Sequence, residues 1–313
     1  MNNTEINHFV KTMKMKVVAG CLAGLHALVA HAGTNLVITS ISANGELSWS
    51  NLQGAIQYRV EWAPTPNGVW TNSWNSLNAI SATGATYSVQ VPMFYRLVAI
   101  MPDYTRLLLH SDGANGATSF PDAAGGRLVA VMGDAQVSTV QSRFGGGAAY
   151  FDGSGDYLET ATSPDFEPGD QAFTLDFWLY PLDNGDSSYL IGKSTPDAGQ
   201  GYDVRYRNNT IVLVGVNGWA ENIVSDASVS ANSWHHVAVS STTNTVYLFI
   251  DGSQKGTCPR ANVPGQDIPL RIGRTAAYGG AAFHGYMDEI RFSLGLARWT
   301  NSFVAPTAPN IDD

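Results

Sequence analysis

The chain has 313 residues and a formal net charge of −9, with 17 Lys plus Arg against 26 Asp plus Glu. So few cations cannot neutralise a row of phosphates or grip an anionic bilayer, which argues against nucleic acid and acidic membrane surfaces as partners. Two cysteines, 32 glycines and only 14% charged residues argue against a disulfide framework and against ion-paired surface helices.

Residues 1–32 read as an export signal. Lys11, Lys14 and Lys16 form a basic start, residues 17–30 an apolar run, and Ala30-His31-Ala32 a small-x-small cleavage pattern that leaves Gly33 as the mature N-terminus. The run is shorter than the roughly 20 residues that span a bilayer, so no membrane span is expected. Met13 and Met15 are alternative starts to Met1. Val18-Ala19-Gly20-Cys21 has the outline of a lipoprotein box but lacks the apolar stretch that should precede Cys21. Cleavage would remove three Lys and Glu5, taking the net charge to −11 and leaving Cys258 without a disulfide partner. The expected location is extracellular or at the cell surface.

A compact block follows at 33–101. Its apolar-alternating runs are 36–42, 46–50, 57–62, 87–91 and 94–100, and Asn44-Gly45 marks a two-residue hairpin turn. Trp49 and Tyr58 read as core pillars, and Trp62, Trp70 and Trp74 as strand-packing residues. Leu47-Ser48-Trp49, Tyr58-Arg59-Val60-Glu61-Trp62 and Tyr95-Arg96-Leu97-Val98-Ala99 give the block a resemblance to a shortened fibronectin type III module.

Residues 103–309 carry a longer series of strands. Phe173, Leu175, Phe177 and Leu179 alternate along one, and Val246, Leu248 and Ile250 along another. Residues 234–252 read as a hairpin around a polar loop at 240–244. Burying such faces takes a second sheet stacked about 10 Å away. The segments Arg106-Leu107-Leu108-Leu109-His110-Ser111-Asp112-Gly113, Ser142-Arg143-Phe144-Gly145-Gly146, Tyr150-Phe151-Asp152-Gly153-Ser154-Gly155-Asp156-Tyr157-Leu158, Phe173-Thr174-Leu175-Asp176-Phe177-Trp178-Leu179, Trp234-His235-His236-Val237-Ala238-Val239, Leu248-Phe249-Ile250-Asp251-Gly252 and Gly285-Tyr286-Met287-Asp288-Glu289-Ile290-Arg291-Phe292 occur in this order. Together they resemble the laminin-G-like, concanavalin-A-like jelly roll. The expected fold is all-β: a small fibronectin-like sandwich, a two-sheet antiparallel jelly roll, and a short tail at 310–313.

Asp288 shares parity with Ile290 and Phe292, so an unbroken strand would point its carboxylate inward, where it needs a cation, an Arg or several backbone amides. Asp112 lies in a Gly-rich loop after the first jelly-roll strand. The family resemblance implies a structural Ca²⁺ shared by Asp112 and Asp288, completed by carbonyl oxygens. Asp152-Gly153-Ser154-Gly155-Asp156 opens like a calcium-binding EF-hand loop, but Tyr157 and Ser163 stand where that loop needs Gly and Glu, so a tight turn is expected. His235 and His236 face opposite ways on a strand and should not chelate one ion.

No catalytic motif emerges. The Glu-x-Asp-x-x-Glu run of the superfamily's glucanases is missing, adjacent Asp288 and Glu289 on a regular strand cannot flank one glycosidic bond, and no nucleophile elbow or zinc helix occurs. A non-catalytic role is expected: recognition of a carbohydrate or surface glycoprotein. The alternatives are a structural or adhesive part of an extracellular assembly and, behind it, a divergent polysaccharide-acting enzyme. Tyr202, Trp219 and Tyr278, each among small or Gly-rich neighbours, are the candidate ligand-binding rings, while Trp178 and Trp234 read as core.

Overall fold

A computed structural model describes residues 10–14, 38–41, 46–49, 57–63, 80–81, 87–88, 94–185, 188–195, 200–261, 267–274 and 282–311. Every regular element among them is a strand, apart from a single 3-10 turn at Pro164–Phe166. The chain divides into two compact units, Met1–Asp103 and Tyr104–Asp312.

Among the described residues the first unit has seven strands: β1 (Val10–Lys14), β2 (Ile38–Ile41), β3 (Glu46–Trp49), β4 (Gln57–Ala63), β5 (Ile80–Ser81), β6 (Tyr87–Ser88) and β7 (Phe94–Pro102). They form a sheet in the order β1-β7-β4-β5 and a second in the order β2-β3-β6. β2 and β3 pair antiparallel around the Asn44-Gly45 position, which itself lies outside the described residues. Trp49 and Tyr58 are buried and meet edge-on at 5.6 Å, as pillars should. Within this unit Val10–Lys14 runs antiparallel along β7, with Val10 opposite Pro102 and Lys14 opposite Val98. An open strand edge offers unpaired N–H and C=O groups, and a short extended segment satisfies them.

The second unit begins with β8 (Thr105–Leu109), β9 (Val129–Met132), β10 (Gln136–Ser138), β11 (Ala148–Asp152), β12 (Tyr157–Thr160), β13 (Phe173–Pro181), β14 (Ser188–Thr195) and β15 (Gln200–Arg207). It continues with β16 (Thr210–Gly215), β17 (Gly218–Val224), β18 (His235–Ser241), β19 (Thr245–Ile250), β20 (Ser253–Pro259), β21 (Arg271–Ile272) and β22 (His284–Leu294). One sheet runs β10-β11-β22-β13-β18-β19-β20 with β8 also paired to β22; the other runs β17-β16-β15-β14-β21-β12-β9. All the pairs in both are antiparallel. This is a two-sheet jelly roll.

The core lies between the sheets. Phe173, Leu175, Phe177 and Leu179 of β13 and Val246, Leu248 and Ile250 of β19 face Leu158, Leu190, Val204, Leu213 and Ile272 of the opposite sheet, all essentially inaccessible. β18 and β19 form the expected hairpin.

β22 is the axis of the first sheet. β13 lies along one edge, while β11 pairs with residues 284–287 and β8 with residues 290–293. At the seam the register with β13 shifts, and Glu289 takes a left-handed backbone with φ of 52°. The extra residue reverses parity: Met287 faces the core before it and Ile290, Phe292 and Leu294 after it. Asp288 therefore does not point between the sheets, as an unbroken strand would require. It lies on the outer face, under the loop at residues 143–144.

Candidate functional site

The outer face of the β22 sheet carries polar and aromatic residues in rows across the strands. Most of it is covered. Asp176 of β13 and Arg291 of β22 form a bidentate pair with both contacts at 3.0 Å, and His236 Nε2 lies 3.4 Å from Asp176 Oδ2. Burial alone would raise the Asp176 carboxyl pKa, but the charges and hydrogen bonds of Arg291 and His236 outweigh it and hold it well below the carboxylate range. Trp299 and Phe303, stacked at 4.0 Å, cap the His236 ring edge-on. Residues 296–311 are thus no free tail but a strap laid over the sheet, tied down by Phe303 N–H to the Gly252 carbonyl and Asn310 N–H to the Glu289 carboxylate.

The loop at 142–147 covers the neighbouring row. Arg143 lies over Trp178 with its guanidinium carbon 3.9 Å from the ring centroid, and Phe144 meets the same ring at 6.0 Å. Asp288 holds this loop through the Arg143 and Phe144 amides at 2.8 and 3.1 Å, and also accepts from the Glu289 amide. Asp112 holds the loop's far end through the amides of Gly146 and Gly147. Three backbone amides thus donate to the Asp288 carboxylate. Burial pushes the Asp288 carboxyl up to about 7, against the pull of the Phe144 and Arg143 donors.

One row stays half-exposed. Tyr150 of β11, Tyr286 of β22 and Tyr180 of β13 are directly opposite one another in register. Trp234, just before β18, continues the line, because its neighbour His235 pairs with Leu179. The ring centroids are 5.0, 5.8 and 5.4 Å apart along the row. Tyr286 is nearly buried, whereas Tyr150, Tyr180 and Trp234 are half-buried. The core neighbours Phe151, Leu179 and Met287 turn these rings outward by simple alternation. Trp234, read from sequence as core, is therefore a surface-row residue, and Trp178 is buried on the outer face rather than between the sheets.

Polar groups border the row. Asp152 and His284, two residues along their strands, face each other in register, and His284 Nδ1 lies 3.1 Å from Asp183 Oδ2. Asp134, Asp152 and Asp156 each offer a carboxylate oxygen, all within 4.8 Å of one another. Asp156 is fully buried and accepts from the Asp134 and Asp152 amides at 2.8 and 3.0 Å. An all-oxygen set of this kind suits a hard cation. The expected tight turn at 152–156 is present, with Gly153 and Gly155 at positive φ; the sequence reading missed that Asp134 joins it from the turn between β9 and β10. Burial, then Tyr286, then these carboxylates raise the Tyr150 phenol pKa, which keeps its hydroxyl protonated.

The rings chosen from sequence lie elsewhere. Tyr202 belongs to β15, 2% exposed in the core, with its hydroxyl donated to the Phe166 carbonyl; alternation along β15 buries it. Burial drives its phenol pKa far upward. Trp219 is in strand β17, but its side chain lies outside the described residues, as does Tyr278 entirely. His235 and His236 serve opposite faces, as expected. His235 Nδ1 lies 2.9 Å from Asp251 Oδ2 and its Nε2 lies 3.2 Å from Ser230 Oγ, while Asp251 Oδ1 accepts the His236 amide, so the trio clamps the β19–β20 turn to the start of β18.

Two facing antiparallel sheets with one aromatic strip left open define the class: a two-sheet jelly roll. Over residues 152–294 the chain matches the family model of the concanavalin A-like lectin/glucanases superfamily. It is similar in structure to the binding domain of Paraclostridial Mosquitocidal Protein 1, with TM-score 0.51 and 13% identity over 62% of this chain and 49% of that one. The chain thus spans about half of that structure. Domain 4 of AbnA, a GH43 extracellular arabinanase from Geobacillus stearothermophilus in complex with arabinotriose, is similar with TM-score 0.43 and 16% identity over 62% of this chain and 94% of that one. The botulinum neurotoxin serotype D binding domain gives 0.45 and 17%, over 62% and 49%. At such identities the likeness is one of fold. No curated protein sequence matches the chain.

Proposed function

We propose that the jelly roll is a non-catalytic carbohydrate-recognition module of an exported protein. The observation that carries this reading is the half-exposed row Tyr150–Tyr286–Tyr180–Trp234, edged by Asp152, Asp183 and His284. Aromatic faces take the C–H face of a sugar ring, and carboxylates and phenol hydroxyls take its hydroxyl groups. The adjacent carboxylates of β22 have structural work: Asp288 holds three amides, and Glu289 holds His110 and the strap at Asn310.

A glycan array probed with the exported chain tests this reading. Specific hits that weaken in Trp234→Ala support it. Silence across the array, with unchanged adhesion to whole cells, favours a structural part of a surface assembly instead. Export itself is checked by N-terminal sequencing of the secreted form, expected to begin at Gly33.

Ca²⁺ is the ion proposed for Asp134, Asp152 and Asp156, because the set is all oxygen and tolerates irregular geometry. The wild-type melting temperature should rise with Ca²⁺ over chelator, and Asp134→Asn should abolish the rise. An unchanged wild-type value in Ca²⁺ ends that assignment.

A further inference from the structure

Resting on that reading, we infer that the aromatic row is a linear multi-subsite face for an extended, neutral glycan chain, and that in the metal-free chain it rejects acidic glycans.

The geometry of the row carries the first half. The four rings occupy successive strand positions, so they advance by about 4.8 Å per step perpendicular to the strands. A pocket for one terminal sugar needs walls converging on a point. Here the rings instead form a line over three inter-strand spacings, or about 14 Å. The interplanar angles of 41°, 78° and 59° between successive rings offer alternating faces and edges rather than one flat plate. A chain whose sugar rings turn over from one residue to the next matches that alternation. Such a ligand gains a small increment at each half-exposed ring, Tyr150, Tyr180 and Trp234, so affinity should grow with length.

Charge carries the second half. Asp134, Asp152 and Asp183 are exposed beside the row, and Asp156 is buried behind Asp152. Facing them are His284, in contact with Asp183, and Arg143, whose guanidinium lies over Trp178 in the adjoining covered row. Among the described residues the strip is therefore bordered by more carboxylates than cations, on a chain of net charge −9. A uronate or sialylated ligand would bring like charges together with no basic side chain in the row to receive them, and like-charge juxtaposition is a strong means of rejection. Neutral hydroxyls, in contrast, are good donors to Asp152 and Asp183.

Titration calorimetry on the full chain tests both halves. The probes are xylo-, cello-, manno- and laminari-hexaose, their disaccharides, and hexagalacturonate, all at low ionic strength in chelator, so that no divalent cation offsets the carboxylates beside the row. At least one neutral hexamer should bind tenfold or more tighter than its disaccharide, with hexagalacturonate unbound. Trp234→Ala and Tyr150→Ala, at opposite ends, should each weaken the hexamer about tenfold, and Trp234→Tyr should restore most of the loss. Matching melting temperatures establish that the variants fold. A hexamer that binds no better than its disaccharide, hexagalacturonate binding as tightly as the neutral chains, or a glycan bound equally by the end variants overturns the inference while leaving glycan recognition standing. Absence of binding to every glycan on the array ends both.

Discussion

At the seam of β22, Asp288 combines complete burial with three amide donors and a neighbouring Glu289. Its carboxyl pKa of about 7 lies above the ordinary 3.8. The folded state therefore holds the proton more firmly than the unfolded chain. The stability this group contributes is fully present below about pH 4 and lost as pH rises through about 7. Asp156, raised by burial, acts in the same direction. The melting temperature should fall from pH 5 to pH 8, and Asp288→Asn should flatten most of that slope. The same substitution should cost about 1–3 kcal/mol at pH 5, because an amide NH₂ would replace an oxygen that faces N–H donors. Asp176 shows the opposite sign, its pKa held low by Arg291 and His236. Asp176→Ala strips Arg291 of its bidentate carboxylate in a buried setting, and denaturant unfolding should register a loss of about 3–5 kcal/mol.

Among the elements, the strap at 296–311 depends on one turn. Asp251 and Gly252 close the β19–β20 hairpin as a two-residue loop with φ of 50° and 76°. Phe303 donates to the Gly252 carbonyl, and a Cβ on Gly252 would run into the Phe303 carbonyl oxygen. Gly252→Ala should therefore loosen the strap while the strands persist. Hydrogen exchange over 299–311 should quicken and proteolysis should begin there, with an unchanged far-ultraviolet spectrum. The β22 bulge is the second decisive element. It separates the residues paired with β11 from those paired with β8 and puts Asp288 on the outer face. Strand identity was legible from alternation, as β13 and β19 illustrate. The bulge was not, because Glu289 is an ordinary strand-compatible residue whose left-handed backbone is stabilised by His110 and Asn310, distant in sequence.

For the whole molecule, residues 104–312 have their own core between two sheets, with Phe151, Phe177, Leu248 and Phe292 inaccessible. A chain of 104–313 should fold alone and unfold in one cooperative transition; a broad transition or a helical spectrum would contradict a self-sufficient jelly roll. The candidate site was far less legible than this architecture. Tyr202 attracted notice for its Gly-rich neighbours yet lies in the core, whereas Trp234 read as core and lies in the open row. Tyr150, Tyr180 and Tyr286 stand in three segments spread over more than a hundred residues, and no local pattern says that they share a level of one sheet. Asp134 joins Asp152 and Asp156 for the same reason.

The sequence by itself determined the all-β class, the faces of the long strands and the acidic balance, since these follow from period-two alternation and residue counting. Only the tertiary structure decided which rings stand in line, which carboxylates converge and which face of β22 Asp288 occupies. Those outcomes depend on register between strands distant in sequence and on a single inserted residue, and neither leaves a trace in local composition.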